Sequence, residues 1–562
     1  MQSSIGKHGV AEKALSSPPI KARGWLDRIA RLTRFELKPL IARYAAAVPR
    51  NERRRILVYS PLPWREGCVE YLLTGALKMR GHEVLTAICG ESLPDCENHF
   101  YDFARPACDR CRVRAQRFCR AFGIHPLVFT RYLTDEDVAE SERLTVDLGE
   151  KELRAMEYDS IPVGDIAYFQ LNILYQTFLI ELDDRMLEQL RTLCQAAILL
   201  TKACSRLLDR THPDVAVCCN GKAFAYRLLF LQARRRGIPV VTWMVYPFDN
   251  TSPFVFSHNR YAGEIHLEDV WPAEKQRVLS AAQTELVTSY FTQWQKGDIT
   301  PFEYHRNTRR DSGYVYQQLG LRRGQTLIAC FPNMLRDTSA FDRDIGFSSL
   351  IDWVIQMARY AARRPDLHLV VRAHPAERCL PERYGKYNRF FVCPEVRRNV
   401  SPLPGNVHLL EGDTQLSSYA LMREADVICV YSSTLGVEAA LEGRLACVMG
   451  ETHYRDKGFT KDIVRAQELW DFLDSGPAYP RTISEEEVEL ARRYAYLWRF
   501  RHPIWMQCYD AATMEFHLDS WNQMAPGANR TIDRLCECLV SGEPLIDVAA
   551  TDREPGNEGR NV

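Results

Sequence analysis

Residues 424–460 read EADVICVYSSTLGVEAALEGRLACVMGETHYRDKGFT, and the punctuation of this segment points to a fold class. Val427–Tyr431 is an apolar run without polar alternation, as expected of a parallel strand covered on both faces. Ser432, Ser433 and Thr434 follow at the predicted N-terminus of a helix over Leu435–Leu441, and a Gly turn returns the chain into a second strand over Leu445–Met449. Three hydroxyls and several unpaired amides at a helix N-terminus favour an anion such as a phosphate. Glu438, one turn into the helix, is spaced to hold a ribose diol. The simpler reading makes Ser433 or Thr434 an N-cap and no more. Both readings stand on this segment alone.

At 562 residues the chain exceeds a single core, so two α/β domains with terminal additions are expected. Lys+Arg and Asp+Glu balance at 72 each, which removes any global case for nucleic acid. Apolar runs such as Gln195–Thr201 are far too short to span a bilayer. The first residues lack the apolar core of a secretory signal. Eighteen cysteines, scattered mostly through apolar strands and helices, fit reduced thiols in a cytoplasm. The expected location is cytoplasmic, either free or peripheral on the inner face of a membrane.

Taken in order, residues 1–20 have the composition of a disordered tail. Residues 21–55 carry eleven Lys/Arg against three acids, with Trp25, Ile29, Leu32, Leu40 and Ile41 at helical spacing. Such a basic amphipathic segment either lies on an anionic membrane surface or packs on the first domain with its charges in water. The first domain, 56–265, is read as an acceptor-binding half. It opens with a βαβ unit: strand Ile56–Tyr59, helix Cys68–Arg80, strand Glu83–Ile88. A second unit follows: strand Val215–Cys219, helix Ala223–Arg236, strand Ile238–Met244. Strand-end loops of open α/β sheets bind ligands, which singles out Glu66 in the loop Trp64–Gly67 and Asn220 in the loop Asn220–Lys222. Asp249 falls in Tyr246–Ser257, read as a Pro- and Asn-bearing loop. For Glu66 a surface carboxylate, and for Asp249 a turn residue, are the simpler explanations.

Within this domain Cys89, Cys96, Cys108 and Cys111, with Cys119 close behind, form a cluster at 89–119. Thiolates so spaced either hold a structural zinc, with His99 or His125 as substitutes, or remain simple reduced thiols.

A helical connector over 266–320 leads to a second domain, 321–483. There strand Thr326–Phe331, helix Phe347–Arg364 and strand Leu367–Val371 end in Arg372-Ala373-His374-Pro375. Strand Val407–Leu410, the acidic loop Glu411-Gly412-Asp413 and helix Gln415–Arg423 lead back to the opening segment, after which His453–Gly458 forms a polar loop. Three strand-end loops thus offer Arg372 and His374; Ser432, Ser433, Thr434 and Glu438; and His453, Arg455 and Lys457, a set suited to a nucleotide phosphate. Residues 484–545 are read as helices crossing back over the first domain, and 546–562 as a disordered tail.

The R-x-H-P strand end followed by Y-S-S-T-x-G-x-E resembles the two-domain GT-B glycosyltransferases of bacterial capsule and lipopolysaccharide synthesis, in particular capsule polysaccharide biosynthesis proteins of the KpsC/KpsS type. Bacterial sialyltransferases and CDP-glycerol glycerophosphotransferases are more distantly similar. The likeness rests on Asn333–Trp353, Leu369–Glu377, Val427–Gly450 and His453–Thr460, with a weaker match over residues 215–244. It implies two Rossmann-like, doubly wound domains facing a cleft, with helical additions. It also implies a nucleotide-sugar donor (CMP-, CDP- or UDP-linked), a glycan or glycolipid acceptor, and no cofactor required for transfer. By resemblance, His374 and the Ser432–Thr434 hydroxyls stabilise the leaving nucleotide phosphate, and Glu438 holds its ribose. The catalytic base would come from the first domain, where Asp249, Glu66 and Asp165 are candidates. The same fold would serve transfer of a polyol phosphate, or epimerisation of a nucleotide sugar with Glu411 or Asp413 as acid and base. A non-catalytic nucleotide- or glycan-binding component of capsule assembly is the third reading.

Overall fold

Each apolar run bounded by Gly or Pro in the two βαβ patterns becomes a buried strand, because a strand covered on both faces has no polar side to show. A computed structural model describes residues 23–61, 68–91, 93–97, 107–175, 181–246, 253–299, 308–335, 342–379, 390–476, 480–511 and 513–547. The expected disordered tail 1–20, Glu66, His99 and Asp249 lie outside the described residues. The chain divides into two units, one of residues 1–174, 181–266 and 501–562, the other of 175–180 and 267–500.

The first unit is built on six strands: β1 (Arg55–Tyr59), β2 (Glu83–Ile88), β3 (Leu127–Val128), β4 (Val215–Cys219), β5 (Val240–Val245) and β6 (Phe254–His258). Their order is β3-β2-β1-β4-β5-β6, parallel throughout except for β6, which runs antiparallel to β5. The strand order reverses between β1 and β4, the switch point of a doubly wound sheet. β6 corrects the expectation of a loop over Tyr246–Ser257: Phe254, Val255 and Phe256 are buried on the sheet edge.

The basic segment forms two helices, Arg23–Leu32 and Lys38–Ala45, joined by a π-helical turn over Thr33–Leu37. Their apolar stripe is covered. Leu26, Ile29, Leu37 and Leu40 enter the same core as Tyr71, Leu72 and Phe118, while Arg31, Arg34, Lys38 and Arg43 are exposed. The stripe packs as the packed-helix reading expects, while Phe35 in the turn between the two helices stays exposed. The return from the second unit completes that core: Ile504, Phe516, Trp521, Ile532 and Leu535 all lie in it. Trp521 is the keystone. Its Nε1 donates to Thr33 Oγ1 (3.0 Å), its amide donates to Glu36 Oε2 (2.9 Å), and its ring occupies the space a Cβ at Gly75 would need.

The second unit carries β7 (Thr326–Phe331), β8 (Leu367–Arg372), β9 (Val407–Leu410), β10 (Val427–Val430), β11 (Ala446–Val448) and β12 (Lys461–Asp462). All pairs are parallel in the order β12-β11-β10-β7-β8-β9, with the switch point between β7 and β10. One face packs on the Leu350–Ala362 helix through Trp353, Val354 and Met357. The Glu485–Tyr496 helix belongs to this unit, so of the segment 484–545 only the part from Arg501 joins the first one. Among the described residues no helix is long and apolar enough to cross a membrane.

Candidate functional site

The carboxyl ends of β7, β8, β9 and β10 bring four loops to one edge of the second sheet. β7 separates β8 from β10, so the His374 and Ser432–Thr434 loops stand on either side of its end. The residue that fills the gap is Asn333. It follows β7 and Pro332, is almost fully buried, and donates from Nδ2 to Ser432 Oγ (3.3 Å) while its Oδ1 accepts from the Met334 amide (2.8 Å). Sequence reasoning passed over it, although its place directly after a buried strand was the available signal.

His374 is half-buried, and its Nδ1 accepts the Ala376 amide (3.1 Å). A ring nitrogen that accepts carries no proton, so in the neutral ring the proton sits on Nε2. The loop after β9 supports this geometry, because a Cβ on Gly412 would meet His374 O at 2.8 Å and Pro375 O at 3.2 Å. Arg372 is 2% exposed, and its Nη1 donates to the carbonyl oxygens of Ala373 and Glu411 (the latter at 3.1 Å). It braces the two loops. Glu411 accepts from Arg378 Nη2 (3.3 Å) and Arg397 Nη1 (2.7 Å), and Asp413 is exposed.

At the end of β10 the three hydroxyl residues are half-buried and differ in their partners. Ser432 takes Asn333, Ser433 Oγ accepts the Leu435 amide (3.3 Å), and Thr434 Oγ1 donates to Glu438 Oε1 (3.1 Å). Thr434, at the N-cap of the Leu435–Leu441 helix, makes no capping bond, and the side chain that takes up a helix amide is Ser433. Glu438 is 3% exposed; burial pushes its carboxyl pKa up, against the pull of hydrogen bonds from Tyr419 and Thr434. So enclosed, it braces the turn from behind, which departs from the expected open ribose-binding carboxylate. Tyr431 anchors the turn by donating to Asp344 and lying against Trp353 (ring centroids 5.8 Å).

The third loop is a correction. Arg455 is 6% exposed and donates to three backbone carbonyls, from Nη1 to Val448 and Gly450 (both 3.2 Å) and from Nη2 to Ile463 (2.7 Å). Lys457 Nζ donates to Arg455 O (3.0 Å). His453 packs between Tyr494 and Trp498, its Nδ1 2.8 Å from Tyr494 Oη. These side chains tie β11 to β12 and to the Glu485–Tyr496 helix, so their positive charge is used within the loop.

In the first unit Asn220 adopts a left-handed conformation (φ +56°), its Oδ1 accepting the Lys222 amide (2.9 Å), and Lys222 pairs with Glu264 (2.9 Å). Asp165 pairs with Arg227 (3.0 Å). Two buried carboxyls escaped notice in the sequence. Glu70 accepts Trp243 Nε1 (2.8 Å) beside Ser60, and burial pushes its pKa up to about 8. Glu97 accepts the Ala225 amide (3.0 Å) at the start of the Phe224–Arg235 helix, and burial raises its pKa to about 7. A lone acid within the apolar helix Cys68–Met79 was the only hint of the first. Burial raises the thiol pKa of Cys89 to about 11 and of Cys111 to about 12. Among the described residues, Cys89, Cys96, Cys108 and Cys111 included, no group of three His, Cys, Asp or Glu is arranged to hold a metal ion.

Residues 332–475 match the family model of capsule polysaccharide biosynthesis proteins. The matched segment spans about a quarter of the chain and contains the Asn333, His374 and Ser432–Thr434 loops. No curated protein matches the sequence. Among solved structures, the KpsC beta Kdo 2,4 transferase of Thermosulfurimonas dismutans is 14% identical, with 54% of this chain and 84% of that chain covered and a TM-score of 0.34. The glycosyltransferase SnogD of Streptomyces nogalater is also 14% identical, over 79% of this chain and 95% of that one, at a TM-score of 0.21. The UDP-GlcNAc 2-epimerase of Neisseria meningitidis gives 14%, 78%, 97% and 0.22 for the same quantities. Likenesses of this size bear on neither substrate nor mechanism. Two doubly wound α/β units with added helices are the GT-B-like fold class expected from sequence.

Proposed function

We propose that the protein is a glycosyltransferase moving a sugar from a nucleotide-activated donor to a bacterial surface polysaccharide or glycolipid. The observation that carries this reading is the switch point of the second sheet. There the Asn333–Ser432 hydrogen bond (3.3 Å) joins two strand ends, and His374, held through Nδ1, stands at the third. As the bond from the sugar's anomeric carbon to the phosphate oxygen breaks, the leaving nucleotide gains negative charge. The His374 Nε2 proton and the Ser432 and Ser433 hydroxyls are the donors proposed to meet it, in an arrangement set before the reaction begins. Asn333 keeps the Ser432 hydroxyl in place.

Binding of CMP, CDP and UDP to the whole protein, followed by nuclear magnetic resonance or soaked crystals, tests the assignment. Nucleotide perturbing residues 332–334, 373–376 and 432–435 is the expected result, and nucleotide bound away from all three loops would overturn it. His374→Ala should lower kcat by about 10²–10³-fold, with a smaller change in the donor KM. Polyol-phosphate transfer would use the same donor loops and is told apart by the product. An epimerase would instead need Glu411 or Asp413 to move protons, and Glu411 is occupied by Arg378 and Arg397.

A further inference from the structure

At the amino ends of β1, β2 and β4, opposite the ligand-binding edge of the first sheet, lies a cavity of about 550 Å³. Ile41 and Ala45 of the basic N-terminal helices form its apolar side. The rest of the lining is strongly basic. Its two acids are already engaged: Glu83 accepts Arg55 Nε (2.8 Å), and Asp214 accepts the Arg55 amide (2.7 Å). Arg53 closes a helix end by donating to Ala45 O (2.9 Å) and Val48 O (3.2 Å). What remains is Arg54, Lys78, His82 and His212. Among the described residues the side chains of Arg54, Lys78 and His212 make no ion pair or hydrogen bond. His82 Nδ1 accepts the Arg54 amide (3.2 Å), so its neutral ring donates through Nε2.

Cations gathered in one concavity repel each other and keep their charge at a cost, most of all Lys78, which is half-buried. Burial already lowers the Lys78 amine pKa, and burial together with Arg80 and Arg54 lowers that of His82. An anion entering the cavity would relieve both. Two fixed cations flanked by two imidazoles suit a tetrahedral anion with several acceptor oxygens, as a phosphate mono- or diester presents, over a planar carboxylate with two.

We propose that this cavity binds a phosphate group, carried either by the glycerophosphate head of an anionic lipid or by a soluble phosphorylated sugar. The exposed Arg31, Arg34, Lys38 and Arg43 of the neighbouring helices add a basic surface that draws anionic ligands toward this unit. The site does not depend on the glycosyltransferase reading, since it shares no residue with the nucleotide loops.

Two probes on the full-length protein distinguish the sources. Glycerol 3-phosphate is titrated by calorimetry, and vesicles containing phosphatidylglycerol are compared with phosphatidylcholine vesicles by co-sedimentation. Lys78→Gln should weaken binding about fivefold and the double variant with Arg54→Gln about 25-fold, while Lys78→Arg retains it. Losses of this size with glycerol 3-phosphate assign a soluble ligand; the same losses confined to phosphatidylglycerol vesicles assign the lipid. Thermal midpoints equal to wild type certify that the variants fold. If wild type binds neither probe, or if the double variant binds as well as wild type, the site is refuted.

Discussion

Arg455 and His374 show how one side chain's hydrogen bonds decide its role. Both follow an apolar strand, and both read from sequence as phosphate ligands. His374 is held at the strand end by the Ala376 amide on Nδ1, whereas Arg455 turns inward to three carbonyls. Removing a charged clamp strands those carbonyls, so Arg455→Met should cost about 2–4 kcal/mol of stability in a thermal or denaturant melt while leaving the donor KM unchanged. A raised KM at full stability would restore Arg455 to the phosphate. Glu70 gives a second test, in pH. Its folded pKa, raised by burial to about 8, exceeds the ordinary carboxyl value of 4.5. The stability that this retained proton confers is complete below pH 4.5 and is lost as pH rises to about 8. Glu70→Gln mimics the protonated carboxyl, so wild type should lose thermal midpoint relative to that variant between pH 5 and pH 8; parallel curves would contradict the burial argument. Neither role was legible in sequence, because a pattern reports spacing and not the direction of a side chain.

At the scale of elements, much was legible. The strands Glu83–Ile88, Val215–Cys219, Thr326–Phe331 and Val407–Leu410 have the expected ends, since parallel strands of this kind are mainly apolar runs closed by turn residues. β6 was hidden by Pro253 and the polar residues before it, and its antiparallel pairing with β5 depends on a neighbour that no local pattern names. Strand order was equally silent, and with it Asn333, whose importance lies in standing where two non-consecutive strands meet. The glycine in Y-S-S-T-x-G-x-E, by contrast, has a tertiary reason. A Cβ on Gly436 would sit 2.5 Å from Tyr454 Oη and 2.8 Å from its ring, and that hydroxyl donates to Ser433 O. Gly436→Ala should therefore destabilise the protein by about 1–3 kcal/mol and displace the turn. In a Tyr454→Leu background the same change should cost less; equal costs in both backgrounds would mean the two residues do not couple.

In the whole molecule the second unit is nearly continuous in sequence, whereas the first is assembled from both ends of the chain. A chain ending at Phe500 lacks Ile504, Phe516, Trp521, Ile532 and Leu535, all buried in the first unit's core. Such a truncation should yield aggregated protein, measured as soluble fraction and by size-exclusion chromatography. A soluble monomer with native circular dichroism would show that the return segment is dispensable. The same core sets an order of events on the ribosome. Residues 267–500 can fold as they emerge, while the first half, made earlier, waits for Trp521. At about 5–20 residues per second, that wait between residue 266 and Trp521 lasts roughly 13–51 s. During it the Cys68–Met79 helix and the basic N-terminal helices hold apolar surface that the return segment does not yet cover.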